Sequence, residues 1–313
     1  MSHLLGIEIG GTKLQLVAAT DSLQITHHKR LTVTQSEGAQ GILRQINEVL
    51  TEEWKDLSFS AAGVGFGGPV NWQTGQIARS HQIEGWAEVD LGNWLSQHIK
   101  APVWVDNDAN LAALAEAIAG AGRGKNPVFY CTLGSGVGGG FVINQAIYHG
   151  IIPGEVEFGH LRLDRAGTTL ESVCAGWAVD KRIRQVAQSN PNSILAKRVA
   201  TQTGPLAQQL IPAIEQGDEF ALQILHETCD SLAFGLSHVI HLFHPEIIII
   251  GGGLSLMGEP FRVLIEQNVT QYLMKAFLPA PSIQIATLGE NVVPIGALLL
   301  CRQKIRDSIP THF

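Results

Sequence analysis

The chain has 313 residues, of which 45% are hydrophobic and 16% charged, and its formal net charge is −7. This length and apolar content are typical of a globular protein with two domains, and they argue against a disordered chain. Because binding to a phosphate backbone requires clustered cations, the negative charge and the lack of a long Lys/Arg run argue against a nucleic-acid-binding protein.

The chain shows no targeting or membrane-spanning pattern. Its first residues lack the basic segment and long apolar core of a signal peptide. The longest apolar stretches, around Ile247–Ile250 and Ile295–Cys301, are much shorter than the ~20 residues that a membrane-spanning helix needs. The four cysteines are scattered without a CxxC spacing, which fits a reducing compartment better than a disulfide framework. We therefore predict a cytoplasmic protein that does not bind membranes.

In chain order, the first predicted feature is an antiparallel meander that opens on a glycine turn. Its strands are Leu4–Ile9, Leu14–Ala19 and Leu23–Val33, and the turn is Gly10-Gly11-Thr12-Lys13. The turn alone is weak evidence of function, because Gly-Gly hairpins are common. Glu8 is unusual in an apolar strand: it could contact a metal ion through bound water, or simply face solvent on a half-buried strand.

Helices and strands alternate after this meander. The apolar spacing predicts a helix over Ile42–Leu50, a strand over Ala61–Phe66 that ends at Gly67-Gly68-Pro69, and a helix over Leu91–Ile99. This alternation is typical of an α/β protein.

A polar cluster follows at the end of an apolar run. Pro102–Val105 leads into Asp106-Asn107-Asp108-Ala109-Asn110, and apolar residues then recur at helical spacing as far as Ile118. The pattern predicts a buried strand that delivers two carboxylates and two amides to the start of a helix, the usual ligand edge in α/β proteins. Helix capping by an Asp or Asn is an equally good explanation of the cluster alone.

The first pattern begins again about 125 residues later. Val128–Leu133 predicts a strand, Gly134–Gly140 a glycine turn and Phe141–Ile147 a second strand. We interpret this as a diverged internal duplication with a domain boundary near Gly120. The remaining predicted elements are helices at Trp177–Ala187, Ile194–Val199, Ala207–Ile214, Glu219–Leu242, Pro260–Lys275 and Val293–Ile305, and strands at Ile247–Ile250 and Ser282–Leu288.

The second glycine turn matches a dinucleotide-binding pattern in its letters but not in its context. Gly134, Gly136 and Gly139 have the GxGxxG spacing, but that fingerprint requires a following helix, and a strand is predicted here. A glycine turn between strands can instead wrap its backbone N–H groups around phosphate oxygens. Five glycines in seven residues favour phosphate contact over an ordinary hairpin.

A loop downstream concentrates ionisable side chains between glycines. Glu155, Glu157 and His160 lie within Gly154–His160. They could form a surface ion pair, or bind the neighbouring hydroxyls of a sugar, because carboxylates and imidazole accept and donate such hydrogen bonds.

With these motifs in order, the chain resembles the ROK family of bacterial sugar kinases and sugar-responsive repressors. The resemblance runs nearly end to end and implies an α/β, two-lobed actin-like ATPase (ribonuclease H-like) fold with duplicated mixed-sheet domains. The lobes would be residues 1–118, joined by a C-terminal helix at 294–313, and residues 119–293. The motifs that carry the resemblance are Ile7–Lys13, Gly68-Pro69-Val70, Asn107–Asn110, Leu133–Gly140, Glu157–His160, Leu170-Glu171 and Ile250–Gly253.

The resemblance also implies roles for individual residues. It makes Asp108 the catalytic base. The sugar pocket would be lined by Gly68, Asn107, Asp108, Glu157, His160 and Glu171. The nucleotide would be held by Gly10, Gly11, Thr12, Lys13, Thr132, Gly134, Ser135, Gly136, Gly251, Gly252 and Gly253, with ATP and Mg²⁺ as cofactors and Glu8 as a water-mediated metal contact.

The chain departs from the family pattern at two places. The family usually has Asp where this chain has Glu8, which keeps a carboxylate but lengthens its reach. The family's cysteine-rich zinc loop is replaced here by Leu161–Thr169, which contains no thiol, and Cys174 cannot complete a tetrahedral site alone. We therefore predict no structural zinc.

The resulting functional prediction is ATP-dependent phosphorylation of a hexose, with glucose at its 6-hydroxyl first and fructose or an N-acetylhexosamine next. No helix-turn-helix is expected before the hairpin strand that starts at Leu4, which favours the kinase branch over the repressors. The alternatives are a non-catalytic sugar-sensing protein and a phosphotransferase for a small carboxylate. Both a monomer and a homodimer, common in the family, stay open.

Overall fold

The computed structural model describes residues 2–77, 84–87, 89–154 and 156–308. The chain divides into two compact units. The first unit takes in the described residues of Met1–Ala119, Gly140–Glu155 and Leu288–Phe313, and the second takes in Gly120–Gly139 and Val156–Thr287. The predicted C-terminal helix extends to residue 313, and its last five residues lie outside the described ones.

Two five-stranded sheets and one small hairpin contain all the strands among the described residues. The strands of the first sheet and of the hairpin are β1 (Ser2–Ile9), β2 (Lys13–Ala19), β3 (Ile25–Thr32), β4 (Ser58–Phe66), β5 (Val70–Asn71), β6 (Gln76–Ile77) and β7 (Val103–Asn107). Those that follow are β8 (Val128–Leu133), β9 (Val137–Ile143), β10 (Ala146–Ile147), β11 (Ile247–Gly251) and β12 (Ser282–Ile285).

The helices lie between strands along the chain, except for the last, which follows β12. Three precede the second sheet, namely α1 (Gly38–Glu48), α2 (Leu91–Ile99) and α3 (Asp108–Ala119). The later ones are α4 (Leu170–Cys174), α5 (Gly176–Ser189), α6 (Ile194–Val199), α7 (Leu210–Ile214), α8 (Glu219–Phe243), α9 (Glu259–Val269) and α10 (Val292–Asp307). Within the part of the chain that the structure describes, no helix combines the length and apolar character needed to cross a bilayer.

The two sheets repeat one topology. The first has the order β3-β2-β1-β4-β7 and the second the order β10-β9-β8-β11-β12. When the separate hairpin β5-β6 is left aside, the strands of both sheets follow the same order, with the third, second, first, fourth and fifth strand side by side. In the first sheet β1 pairs antiparallel with β2 and parallel with β4, and β4 pairs parallel with β7. In the second, β11 pairs parallel with both β8 and β12. Duplicated mixed sheets are therefore present, as predicted.

The strand after the second glycine turn differs from the prediction. It starts at Val137 rather than Phe141, so three of the glycines assigned to the turn belong to β9. It also ends at Ile143, because Asn144 and Gln145 have φ values of 53° and 63° and turn the chain into the short strand β10. The predicted helix over Pro260–Lys275 ends early as well, at Val269.

The first unit buries both faces of its sheet. Leu5, Ile7 and Ile9 of β1 share one core with Ile42 and Ile46 of α1, as the alternation of side chains along a strand requires. On the other face, Leu4 and Ala61 pack with Leu298 and Cys301 of α10. The helix lies very close to the sheet there, since a Cβ on Gly63 would come within 2.3 Å of the Ala297 carbonyl oxygen.

Candidate active site

The first candidate site lies where three parallel strands of the first unit end. β1 ends at Ile9, β4 at Phe66 and β7 at Asn107, and Phe66 and Asn107 are register partners. The Gly67 N–H donates to the Ile9 carbonyl oxygen over 2.9 Å, which ties the first two ends together. The carboxyl ends of parallel strands are the edge at which α/β proteins bind ligands. The structure therefore brings the Gly10 turn, Gly68 and the Asn107–Asp108 pair to one edge.

Asn107 is the residue that caps helix α3. Its Oδ1 accepts hydrogen bonds from the Ala109 N–H at 2.9 Å and the Asn110 N–H at 3.3 Å, which satisfies two amides of the first helical turn. Its Nδ2 donates to the Gly68 carbonyl oxygen over 3.2 Å. The capping role that the sequence left open thus belongs to Asn107, and its role as a sugar ligand stays a prediction.

Asp108 is the first residue of α3 and is half-buried. Its Oδ1 accepts the N–H of Ala109 over 2.8 Å, which holds the carboxylate at the positive end of the helix dipole. Gly67 borders the same carboxylate: a Cβ at Gly67 would lie 3.3 Å from Asp108 Oδ2 and 3.7 Å from the Gly10 Cα. A carboxylate placed at the helix start and beside two glycine loops can accept a proton from a bound hydroxyl group.

The first glycine turn is bordered by an ion pair. Lys13 Nζ lies 2.9 Å from Glu8 Oε1, and Glu8 is only 12% exposed. Burial raises the pKa of the Glu8 carboxyl, and the charge of Lys13 opposes that rise. Glu8 Oε2 is buried and has no hydrogen-bond partner in the described structure. An unsatisfied buried carboxylate oxygen fits the predicted contact with a hydrated Mg²⁺ ion.

Asp106 contacts a histidine that the sequence did not indicate. Its Oδ2 lies 2.7 Å from His149 Nε2, and the His149 ring stacks on Trp72 with centroids 4.3 Å apart. Asp106 and His149 are 43 residues apart, and neither His149 nor Trp72 belongs to a recognisable motif. The sequence pointed to a structural role for Asp106 only because the family resemblance gives roles to Asn107 and Asp108 and none to Asp106.

The nucleotide motifs of the second unit meet at the ends of β8 and β11. Thr132 and Gly251 are register partners, and Gly252 follows with φ +79°, a conformation that favours glycine. A Cβ on Gly252 would lie 2.6 Å from three backbone atoms of Leu133, so this loop runs directly against the strand end before Gly134. The residues predicted for the nucleotide in this unit, namely Thr132, Gly134, Ser135, Gly136 and Gly251–253, are therefore neighbours.

The second glycine turn is also connected to the start of a helix. The Gly134 N–H donates to the Gly136 carbonyl oxygen over 2.9 Å, which closes the turn. The Gly176 N–H, at the start of the 14-residue helix α5, donates to the Gly134 carbonyl oxygen over 2.8 Å. A glycine turn beside a helix N-terminus offers backbone N–H groups and a favourable dipole to an anion.

Glu171, predicted to contact the sugar, lies against this turn. Its Oε2 accepts the N–H of Val137 over 2.8 Å, and a Cβ at Gly136 would approach the same oxygen to 2.7 Å. Glu171 is in the first turn of α4, which is closed by a capping box between Thr169 and Ser172. The carboxylate therefore links α4 to the glycine turn.

Glu157 and His160 lie at the two ends of a single helical turn. Glu157 is the N-cap of the 3₁₀ turn Phe158–His160, and its Oε2 is 3.9 Å from His160 Nε2. Their side chains are 52% and 73% exposed. This arrangement leaves a carboxylate and an imidazole accessible to a ligand. Glu155, the third ionisable residue of this loop, lies outside the described residues.

The thiol-free segment before α4 folds as a short hairpin. Arg162 and Thr169 form an isolated antiparallel β-bridge, and the Leu163 N–H donates to the Thr168 carbonyl oxygen over 2.8 Å. The N–H groups of Gly167 and Thr168 donate to Asp164 Oδ1 and close the turn. Hydrogen bonds from Thr168 and Gly167 lower the pKa of the Asp164 carboxyl. Nearby Cys174 is buried, which raises its pKa to about 12. Within the described ranges no three His, Cys, Asp or Glu side chains are grouped to hold a metal ion.

Comparison with known proteins shows which family the chain is similar to. The family model described as the ROK family matches residues 4–304. The chain is 28% identical to the glucokinase of Thermotoga maritima, over 96% of this chain and 98% of that protein. It is 29% identical to the N-acetyl-D-glucosamine kinase of Yersinia enterocolitica, over 94% and 98%. A solved structure, the ROK family glucokinase of Streptomyces griseus in complex with glucose and AMPPNP, aligns with a TM-score of 0.82, at 28% identity over 96% of this chain and all of that one. The predicted actin-like fold class is confirmed by this likeness.

Proposed function

The chain belongs to the ROK family, and from this membership we propose that it transfers the γ-phosphoryl group of ATP to a hydroxyl of a hexose. Glucose at its 6-hydroxyl is the first candidate acceptor, because two of the three similar proteins described above are glucokinases. The observation that carries the proposal is the position of the Asp108 carboxylate, where the ends of β1, β4 and β7 meet the start of α3.

In this proposal Asp108 is the general base. A sugar hydroxyl is a poor nucleophile, so its proton must leave as the new O–P bond forms and the bond from the γ-phosphorus to ADP breaks. The Asp108 carboxylate accepts that proton. Its bond to the Ala109 N–H fixes its orientation, and fixed orientation is what makes a single carboxylate effective in catalysis. Gly68, Asn107, Glu157, His160 and Glu171 are the proposed sugar ligands.

The phosphate groups are assigned to the backbone of the glycine turns. Amide groups of Gly10–Thr12 and of Gly134–Gly138, other than those of Gly10, Gly134 and Val137 that already donate within the protein, would stabilise the charge that spreads over the phosphoryl oxygens in the transition state. Lys13 adds a cation at the first turn, and Glu8 is the residue suited to a water-mediated Mg²⁺ contact. Mg²⁺, when bound, neutralises negative charge on the transferring phosphate. Thr132 and Gly251–253 complete the proposed nucleotide contacts.

The proposal is tested by ADP release from ATP and Mg²⁺ across a panel of hexoses and amino sugars. We expect turnover with glucose in the wild type and a loss of about 10²-fold or more in Asp108→Asn, which removes the base but keeps the shape, with glucose binding retained. Asp90→Asn is the matched control, because Asp90 caps α2 in the same unit and Asn caps a helix equally well. Near-normal turnover in Asp108→Asn would refute the assignment of the base.

The same panel separates the other candidates. An N-acetylhexosamine is the second candidate acceptor, since a kinase of that sugar is 29% identical to this chain. Turnover with N-acetylglucosamine and not with glucose would reassign the acceptor and leave Asp108 as the base. Binding of a hexose without any ADP release would instead identify a non-catalytic sugar-sensing protein.

A further inference from the structure

Asp106, which the reaction itself does not use, is a buried side chain at the first ligand edge with partners on both of its carboxylate oxygens. It is 2% exposed. Its Oδ1 accepts the Asn107 N–H over 2.8 Å and Asn110 Nδ2 over 3.0 Å, and its Oδ2 lies 2.7 Å from His149 Nε2. A buried carboxylate is tolerated only when donors of this kind satisfy its oxygens. Asp106 is therefore held in one orientation.

The partners of Asp106 Oδ1 lie on both sides of the proposed base. Asn107 precedes Asp108 at the end of β7, and Asn110 follows it in the first turn of α3. A single oxygen thus binds the backbone before Asp108 and a side chain after it. Any rotation of the Asp106 carboxylate would move both attachments and, with them, the start of α3.

His149 sets the rotation of that carboxylate. Because Asp106 only accepts hydrogen bonds, we assign the hydrogen of the shared bond to His149 Nε2. The imidazole is itself fixed by stacking on Trp72, whose ring is inclined to it by only 17°. The Lys304 ammonium lies 5.8 Å from the Trp72 centroid, within the range of a cation–π contact.

We propose that Asp106 and His149 are a positioning pair that fixes the orientation of the Asn107–Asp108 turn for phosphoryl transfer. The inference rests on the proposed role of Asp108 as the base. The pair touches no reacting atom. Its contribution is to keep the Asp108 carboxylate in the productive geometry, where a displacement of about 1 Å can lower the rate about 10²-fold.

Two substitutions of His149 separate the effect of its hydrogen bond to Asp106 from the effect of its ring stacking on Trp72. His149→Phe keeps an aromatic ring against Trp72 and removes the donor, whereas His149→Gln replaces the ring but keeps an N–H donor near the Nε2 position. We expect kcat to fall about 10- to 100-fold in His149→Phe and to recover to within about threefold of the wild type in His149→Gln. Glucose affinity, measured by calorimetry, should fall by a smaller factor than kcat in both variants.

The matched control is His98→Phe. His98 also lies on a tryptophan of the first unit, with its ring centroid 4.2 Å from that of Trp94, but its Nδ1 bonds the Trp94 carbonyl oxygen of the same helix. Its kcat should equal that of the wild type. If His149→Phe does not fold, Asp106→Asn decides, because it removes the buried charge together with its bond from His149. We expect its kcat to fall about three- to tenfold, with a smaller loss of glucose affinity.

The results distinguish failure of the positioning pair from failure of the proposed function. A wild-type kcat in His149→Phe or in Asp106→Asn overturns the positioning pair alone, and so does a His149→Gln variant as slow as His149→Phe. Normal turnover in Asp108→Asn, or a wild type that phosphorylates no hexose, overturns the proposed function and the positioning role with it.

Discussion

The two repeats of this protein share one sheet order and differ in what their strand ends carry. In the first repeat, the parallel strands lead to Gly10, to Gly67 and to Asn107–Asp108. In the second repeat, β8 and β11 lead to glycine loops, and β12 leads to Ala286. The carboxylate that contacts the first of those loops, Glu171, comes from helix α4 instead. The duplication kept the backbone while the chemistry diverged.

This difference predicts where each repeat is sensitive. In the proposed function the first edge acts through side-chain carboxylates and amides, so removing a functional group should abolish its contribution. The second edge is proposed to act through backbone N–H groups that a ligand must approach closely, so adding a single methyl group should be the damaging change. Substitutions at the second edge therefore test the comparison most directly.

The largest effect is expected for Gly252→Ala. Alanine would have to adopt φ +79°, and its Cβ would lie 2.6 Å from the Leu133 backbone, which cannot yield as a side chain can. Gly258→Ala is the matched control, since Gly258 has φ +72° with no atom within 4 Å of an added Cβ. Overpacking should cost Gly252→Ala about 1–3 kcal/mol more than the control in the free energy of unfolding, measured by urea denaturation.

The same pair of variants reports on the ligand. We expect the KM for ATP to rise about tenfold or more in Gly252→Ala and to stay near the wild-type value in Gly258→Ala, because only Gly252 lies against the end of β8. Equal losses of stability and ATP affinity in the two variants would show that backbone strain, rather than close approach, explains this glycine. The proposal that a ligand closely approaches the backbone of the second edge would then be wrong.

A smaller effect is expected where the second edge does use a side chain. Gly136→Ala would bring a Cβ within 2.7 Å of Glu171 Oε2 and displace it from the Val137 N–H. Both Gly136→Ala and Glu171→Ala should therefore lose the same hydrogen bond, which contributes about 0.5–1.5 kcal/mol, and the double variant should lose it only once. Thermal or urea unfolding of the three variants measures this coupling, and strictly additive losses would contradict it.

The sequence predicted those strands and helices whose ends are marked by neighbouring residues. The bounds of Val128–Leu133 and Leu91–Ile99 agree with the structure, because Pro, Gly and a capping Asp mark their ends. The family and the α/β fold class were also predicted and are confirmed. These conclusions depend on periodicity and on the order of several short motifs, both of which can be read without knowing any tertiary contact.

The sequence could not indicate what depends on distant contacts. The five glycines of Gly134–Gly140 were all assigned to one turn, but Gly140 belongs to β9, and its added Cβ would lie 2.7 Å from the Ala109 carbonyl oxygen. That glycine serves close packing of the strand on α3. The contact of His149 with Asp106 likewise joins residues that no spacing rule connects. The roles of the predicted site residues themselves stay predictions.

The smallest effect concerns the charge next to the first glycine turn, where the repeats differ again. Glu8 and Thr132 both lie two residues before the first glycine of their turns, but only Glu8 is ionisable. Burial raises the pKa of Glu8 from its usual value of 4.5, and Lys13 opposes the rise. A raised pKa means that the folded state binds the proton more tightly, so stability is lost as pH increases from 4.5 through the folded-state pKa.

Lys13→Met should extend that loss to higher pH, because it removes the opposing charge. Between pH 5 and pH 7.5 its free energy of unfolding should fall further than that of the wild type, by about 1.4 kcal/mol for each unit by which the pKa of Glu8 increases. Adding Glu8→Gln should remove this extra slope, since no group is left to titrate. Thr132→Val should leave the wild-type slope unchanged. Parallel pH profiles for Lys13→Met and the wild type would show that the ion pair does not control the pKa of Glu8.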